Sequence, residues 1–435
     1  MRIFFICGLA DIDIAGNQTL KNTIFHLASF GHEIDVFTAF PAGYPGLQDP
    51  AKVFPSSVTF HRLPKQVLIA FRALRKLKEL TRQIKKPSHA AGFLGPADSV
   101  GFYDEYTLGT RLAYIGFLFF FYLPFELVRV TFAIIRERPQ LLYGVNGQGS
   151  TVACLLGLVT RLPVVTRWFG CFIRVEDWNT IWGRALTLDG GFALTLPCTK
   201  LIMANDGTQG DKVLARMGVP KDKVSFWVNG LDIDDLTAAS AETPDSLRRA
   251  LGAEGKVVLI MVSRLVLWKR QDRGLHLFAG LPRDLQERAI LLVAGDGPES
   301  ARLKQLAEHL GISTKVKFLS GVAHDALAPY YQMADVFLSL TDVSNLGNPI
   351  LEAMYFGKTI VTIDDGSTAA VLQPEDAIFV RKDEMPAGVG ALGRLILEPS
   401  RRETLGKKAR AAFESRVLSW RNRIALEDKL LRGLV

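Results

Sequence analysis

The side chains best placed to do chemistry lie in Thr341-Asp342-Val343-Ser344-Asn345-Leu346-Gly347-Asn348-Pro349-Ile350-Leu351-Glu352-Ala353-Met354. The apolar run before them, Ala334 to Leu340, reads as a buried parallel strand. A polar loop containing Gly347 follows, with Asn348 expected as N-cap and Pro349 as the first helical residue. A helix start of this kind receives anions, because its unpaired N–H groups and the helix dipole both point at them. Glu352 falls one turn further in, within reach of a hydroxyl held beside such an anion. The same residues also describe an ordinary capped βα unit.

Other candidates follow apolar strands in the same half: Arg264 with Lys269, Gly295 to Gly297, and Asp364 to Ser367. In open α/β sheets ligands collect at the carboxyl ends of strands. In the first half, Gly16-Asn17 stands before a helix and reads either as a phosphate or sugar contact or as a cap. Arg167 follows the strand Val164 to Thr166 and reads either as a phosphate contact or as an ordinary surface arginine. Gly8 and Gly16 do not form the GxGxxG dinucleotide fingerprint.

Strand and helix patterns alternate along all 435 residues, which predicts parallel sheets joined by right-handed crossovers. The length favours two domains, and an apolar share of 48% is enough for two cores. A small, polar stretch after Asp234 marks a junction, giving domains 1–235 and 236–414. A helix over 415–435 is expected to pack back on the first domain. The fold class is therefore α/β, with two doubly wound sheets facing across a cleft.

The net charge of +8 calls for an anionic partner. No nucleic-acid module stands out, and the basic residues lack interleaved aromatics, so nucleic acid is excluded. Residues 65–86 carry eight Lys or Arg against Glu79, with Leu68, Phe71, Leu74, Leu77 and Leu80 at helical spacing. That pattern describes a basic amphipathic helix on an anionic membrane, or a surface helix with a solvated basic face. The stretch 112–135 is the most apolar, but Glu126 follows after only 14 residues and Pro124 is expected to break it. It reads as a buried or monotopic helix, or as a single span. Cys7, Cys154, Cys171 and Cys198 show no CxxC spacing, which points to free thiols in a reducing compartment and no zinc. The N-terminus turns polar too soon for a signal peptide.

Taken in order, these stretches resemble the family 4 glycosyltransferases of GT-B fold. Gly31-His32-Glu33-Ile34 looks like their first crossover, Asn229-Gly230-Leu231-Asp232 like their NGvD junction, and Ser263-Arg264-Leu265 with Lys269 like their GRL…K element. Val293 to Pro298 matches their GxGP loop, and Glu352-Ala353-Met354 with Gly357 and Thr359-Ile360-Val361 matches EAmacGxPVV. The resemblance implies a retaining enzyme, without a metal, that moves a sugar from a nucleoside diphosphate sugar to a lipid-linked or growing glycan. Arg264 and Lys269 would neutralise the diphosphate, Glu352 would hold the ribose hydroxyls, and the helix start at Asn348 would receive phosphate oxygens. Gly16, Asn17, Gly295, Gly297 and Ser344 to Pro349 form the expected donor side, with Arg167 and Asn146 on the acceptor side. Two departures stand out: Ser344 replaces the first acid of E-x7-E, and Arg167 replaces a histidine. A soluble acceptor, or a non-catalytic nucleotide-sugar-binding subunit, is the alternative. The expected location is the inner face of the cytoplasmic membrane.

Overall fold

The structure is a computed structural model, describing residues 1–8, 18–41, 52–64, 108–232 and 242–435. Gly16, Asn17, the basic stretch 65–86 and the expected junction at 235 lie outside the described residues. The first sheet contains β1 (Arg2–Gly8), β2 (Glu33–Pro41), β3 (Val58–Leu63), β4 (Leu141–Val145), β5 (Val164–Trp168), β6 (Lys200–Ala204) and β7 (Val224–Trp227). Its order is β3-β2-β1-β4-β5-β6-β7. The second sheet contains β8 (Val257–Val262), β9 (Ala289–Ala294), β10 (Val316–Leu319), β11 (Val336–Ser339), β12 (Thr359–Ile363) and β13 (Ile378–Val380). It repeats the pattern as β10-β9-β8-β11-β12-β13, with every paired strand parallel. In both sheets the order reverses beside the first strand, so a crevice opens at the carboxyl ends there.

The strands form where the sequence is apolar and bulky without alternation, because helices cover both faces. Along β8 and β9 the residues Val258 to Met261 and Ala289 to Ala294 are all buried. Burial of each such Val, Leu or Ile side chain is worth roughly 1.5–3 kcal/mol. The helix expected after Gly16-Asn17 is α1 (Gln18–Ser29).

The apolar stretch departs from expectation. Pro124 does not break it: α2 (Leu108–Phe117), a π turn (Leu118–Tyr122) and α3 (Leu123–Glu137) run on as one 30-residue rod, long and apolar enough to cross a bilayer. Pro124 follows the π turn directly, and the wider turn, closed by Leu123 N on the Leu118 carbonyl, makes room for the ring. The rod is not isolated, because Ile115, Leu118, Tyr122, Leu123, Val130 and Ala133 pack into a core with Phe4 and Val152. Glu126 turns inward to Arg129, whose guanidinium also bonds the Thr38 and His61 carbonyls. Behind it lies α4 (Asn146–Thr160).

In the second domain the helix after β11 is α5 (Asn348–Tyr355). Its N-cap is Gly347 rather than Asn348, and no side chain caps it. The expected terminal helix over 415–435 is two elements. One helix ends at Arg416, and α6 (Trp420–Arg432) starts after Ser419, whose hydroxyl accepts from Asn422 N. Trp420, Ile424 and Leu431 share a core with Ile3, Phe5 and Leu141. The chain thus crosses between the lobes twice, at Val228–Asp232 and at Val417–Trp420. Leu231 N donates to the Leu418 carbonyl, and a Cβ on Gly230 would come within 2.6 Å of Trp420 Cα. The four cysteines are free thiols.

Candidate functional site

After β8 the chain folds through Ser263–Leu265 into a 3-10 turn, Leu267–Lys269. Gly295 and Gly297 set its course. Both have φ in the positive region, and a Cβ on either would lie about 2 Å from the Ser263 or Leu265 carbonyl oxygen. Their role in this structure is to let two loops touch. The Arg264 guanidinium is exposed and lies 5.9 Å from the Trp268 ring centre, with the Lys269 ammonium 4.6 Å from the same ring. Lys269 also donates to the Ser344 carbonyl at 3.2 Å. Burial pushes the Lys269 ammonium down to about 8; the Asp206 carboxylate opposes that fall and Arg264 adds to it.

The loop 341–348 is held from beneath by charge. Asp342 accepts from Arg270 Nη1 at 3.0 Å and Arg273 Nη2 at 2.8 Å, and Lys382 Nζ lies 2.9 Å away. Burial alone would raise the Asp342 carboxyl; Arg273, Lys382 and Arg270 outweigh it and leave it below the ordinary carboxylate value. Asn345 is fully buried, accepts from the Thr341 hydroxyl, and donates to the Thr341 carbonyl and Asp365 Oδ2. Leu346 is a core residue whose N–H donates to the Asp206 carbonyl at 2.8 Å. These two predicted donor contacts are therefore corrected to braces of the loop. Ser344, Gly347 and Pro349 do line a pocket with Ser263, Lys269 and Thr341. It lies at the carboxyl ends of β8 and β11, at the start of α5.

Glu352 is 1% exposed. Its oxygens take the Tyr331 hydroxyl at 2.7 Å and His324 Nε2 at 2.9 Å. With Nε2 protonated toward Glu352, His324 Nδ1 is left to accept from Gln18 Nε2, 3.2 Å away on α1. Asn348, freed from capping, donates to Gln18 Oε1 at 2.6 Å. The acid and the helix start are thus wired to the opposite lobe.

The acceptor side is rearranged. Arg167 is 1% exposed, with its Nε 3.8 Å from Glu427 Oε2 on α6. The reason is strand alternation: Arg167 shares the Val165 face of β5, and α6 covers that face. The reading of Arg167 as an acceptor or phosphate contact is thereby corrected. Asn146 has φ 50° at the start of α4, and its Oδ1 accepts from Phe169 N. That bond ties the exit of β5 in place.

Gln18, Asp206, Arg270, Arg273 and His324 were not among the sequence candidates. Asp206 does follow an apolar strand, β6, which is the signal that selected Arg167. His324 gives no local signal, because its partners are far away in sequence. Among the described residues no group of three or more His, Cys, Asp or Glu gathers as a metal site.

Residues 244–412 match the family described as glycosyl transferases group 1. The GDP-mannose-dependent alpha-(1-6)-phosphatidylinositol monomannoside mannosyltransferase of Mycolicibacterium smegmatis is 30% identical over 216 residues, 47% of this chain and 55% of that protein. The chain spans about half the length of the curated relatives it matches. Sucrose-phosphate synthase from Thermosynechococcus elongatus superposes over 100% of this chain and 98% of its own, with TM-score 0.68 at 16% identity. Anabaena HepE in complex with UDP superposes over all of both chains with TM-score 0.68 at 16% identity. The fold is GT-B.

Proposed function

From a C-terminal domain that belongs to glycosyl transferases group 1, we propose that the chain moves a sugar from a nucleoside diphosphate sugar to a lipid-linked or growing glycan, retaining the anomeric configuration. The observation that carries this reading is the position of Lys269. It is a half-buried ammonium beside an uncapped helix start, in a pocket where two parallel strands end. As the bond from the anomeric carbon to the diphosphate breaks, negative charge grows on the leaving phosphate. Lys269 and the α5 N–H groups would receive it, with Arg264 at the rim. These groups supply positive charge without a divalent metal. Glu352, fixed by Tyr331 and His324, would accept from the ribose hydroxyls.

A lipid acceptor is supported by the rod of α2 and α3. Every exposed residue from Leu112 to Ile135 is apolar. Phe120 is 79% exposed and Phe132 70%, and Ile181 and Trp182 are also bare, on a helix that Arg111 ties to α2 through the Leu186 carbonyl. The first exposed charge past that stretch is Arg136. Because the inner side of the rod is packed on the domain, it would lie in the plane of the cytoplasmic leaflet. The M. smegmatis relative, named for a phosphatidylinositol mannoside, agrees with such an acceptor.

The test is a panel of nucleotide sugars followed by thermal shift and by product release. A ligand at 100 times its Kd adds about 2.7 kcal/mol. One donor should stabilise the protein and be turned over with membrane-extracted acceptor, without added metal. Binding without turnover on any acceptor would favour a non-catalytic subunit. For the membrane, Phe121→Asp with Phe132→Asp should abolish liposome flotation; unchanged flotation would favour a soluble acceptor.

A further inference from the structure

The inference rests on the donor reading and concerns a residue of the other lobe. Asp206 follows β6 and is 6% exposed. Its Oδ1 accepts from the Thr208 hydroxyl at 2.6 Å and from Thr208 N at 3.2 Å. Burial pushes the Asp206 carboxyl up; Thr208, the Ser344 hydroxyl of the second domain and the Lys269 ammonium pull it back, and the Asp206 charge in turn holds Lys269 up against its own burial. The backbones interlock too, through Leu346 N on the Asp206 carbonyl. A Cβ on Gly207 would lie 2.6 Å from Asn345 N, and one on Gly170 would lie 2.5 Å from Asp206 Oδ2. Gly170 thus makes room for the carboxylate, and Gly207 for the loop that meets it.

The loop 341–348 brings no acid of its own to the pocket side. Asp342 is taken up by Arg270, Arg273 and Lys382, and position 344 is a serine held at φ 64°. We propose that Asp206 is a positioning residue for the donor: reaching across the cleft, its carboxylate fixes Ser344 and keeps Lys269 placed and charged to receive the diphosphate. Lys269 is desolvated when the lobes meet, and a buried ammonium without a counter-charge sheds its proton. Asp206 supplies that counter-charge in the closed arrangement only, because it belongs to the opposite lobe. Closure and readiness for phosphate are then one event.

The test is a double-mutant cycle read by titration with inorganic pyrophosphate at neutral pH. Lys269→Ala should weaken binding roughly 10- to 100-fold, the range for one hydrogen bond to a charged group. Asp206→Asn should weaken it roughly tenfold, and the double variant should be no worse than Lys269→Ala alone within about twofold. A merely structural role would instead add its loss to that of Lys269→Ala. Wild-type affinity in Asp206→Asn, or additive losses, would overturn the proposal while leaving the donor site standing. Undiminished binding by Lys269→Ala would remove both. If Asp206→Asn does not fold, Thr208→Val serves instead, since it frees Asp206 without touching the pocket. It should cost roughly threefold only when Lys269 is present, and wild-type affinity would count against the proposal.

Discussion

Asn348 Nδ2 donates to Gln18 Oε1 at 2.6 Å, so the first residue of α5 is bonded to the first residue of α1 in the opposite lobe. The same glutamine reaches His324, and through it Glu352. One side chain therefore couples the distance between lobes to the orientation of the acid. Gln18→Ala should raise the donor KM several-fold with a smaller change in kcat, since a net hydrogen bond is worth about 0.5–1.5 kcal/mol. Small-angle scattering should show a wider mean separation of the lobes. An unchanged KM and radius would mean that the bridge carries no closure energy.

Lys269 predicts a pH profile. Its folded value of about 8 lies below the ordinary lysine value of 10.5. Below about 8 the ammonium is charged and meets phosphate directly. As pH rises through 8 it deprotonates, and binding must then take up a proton. Pyrophosphate affinity should fall by up to tenfold per pH unit above that point. Lys269→Arg should flatten the profile, since arginine stays charged throughout. The unliganded protein behaves oppositely: between about 8 and 10.5 the unfolded chain binds more protons, so stability rises with pH from this group.

Under α6, Glu427 stands with two arginines, Arg167 and Arg423, and with the Tyr143 hydroxyl. Burial pushes Arg423 down to about 10; the charge of Arg167 adds to the fall and Glu427 opposes it. Glu427→Gln leaves two buried cations without a counter-charge and should cost about 3–5 kcal/mol. Arg167→Met should be far milder, because Arg423 keeps Glu427 paired. Urea melts would rank the two, and equal losses would show that Arg167 does more than fill space.

Gly297→Ala tests the contact that steers Lys269. Its Cβ would meet the Leu265 carbonyl at 2.2 Å, at φ 158°. A loss of about 1–3 kcal/mol is expected. For domains of this size that lowers the melting midpoint by about 2–4 °C per kcal/mol. Pyrophosphate affinity should fall with it, because the Lys269 turn follows directly from Leu265.

Much of the fold was legible because buried parallel strands are continuous apolar runs. Val257–Val262, Ala289–Ala294, Val316–Leu319 and Lys200–Ala204 are strands of this kind. The stretches 264–269 and 341–352 were legible as strand-end loops, and the structure brings Lys269, Ser344 and the start of α5 to one pocket. What escaped was settled by packing between distant segments. Arg167 had the position of a ligand contact but sits on the face of β5 that a helix 250 residues later covers. Asn348 had the chemistry of a cap but found a better partner on α1. Asn345 looked free and is spent inside its own loop. Pro124 looked like a break, and the π turn before it made room.

The last helix has a consequence for synthesis. Trp420, Ile424 and Leu431 complete the core that begins at Ile3, so the first-made sheet keeps an open flank until residues 420–431 have been made and docked. Chains truncated after Val417 should show a protease-resistant second lobe beside a still-sensitive first one.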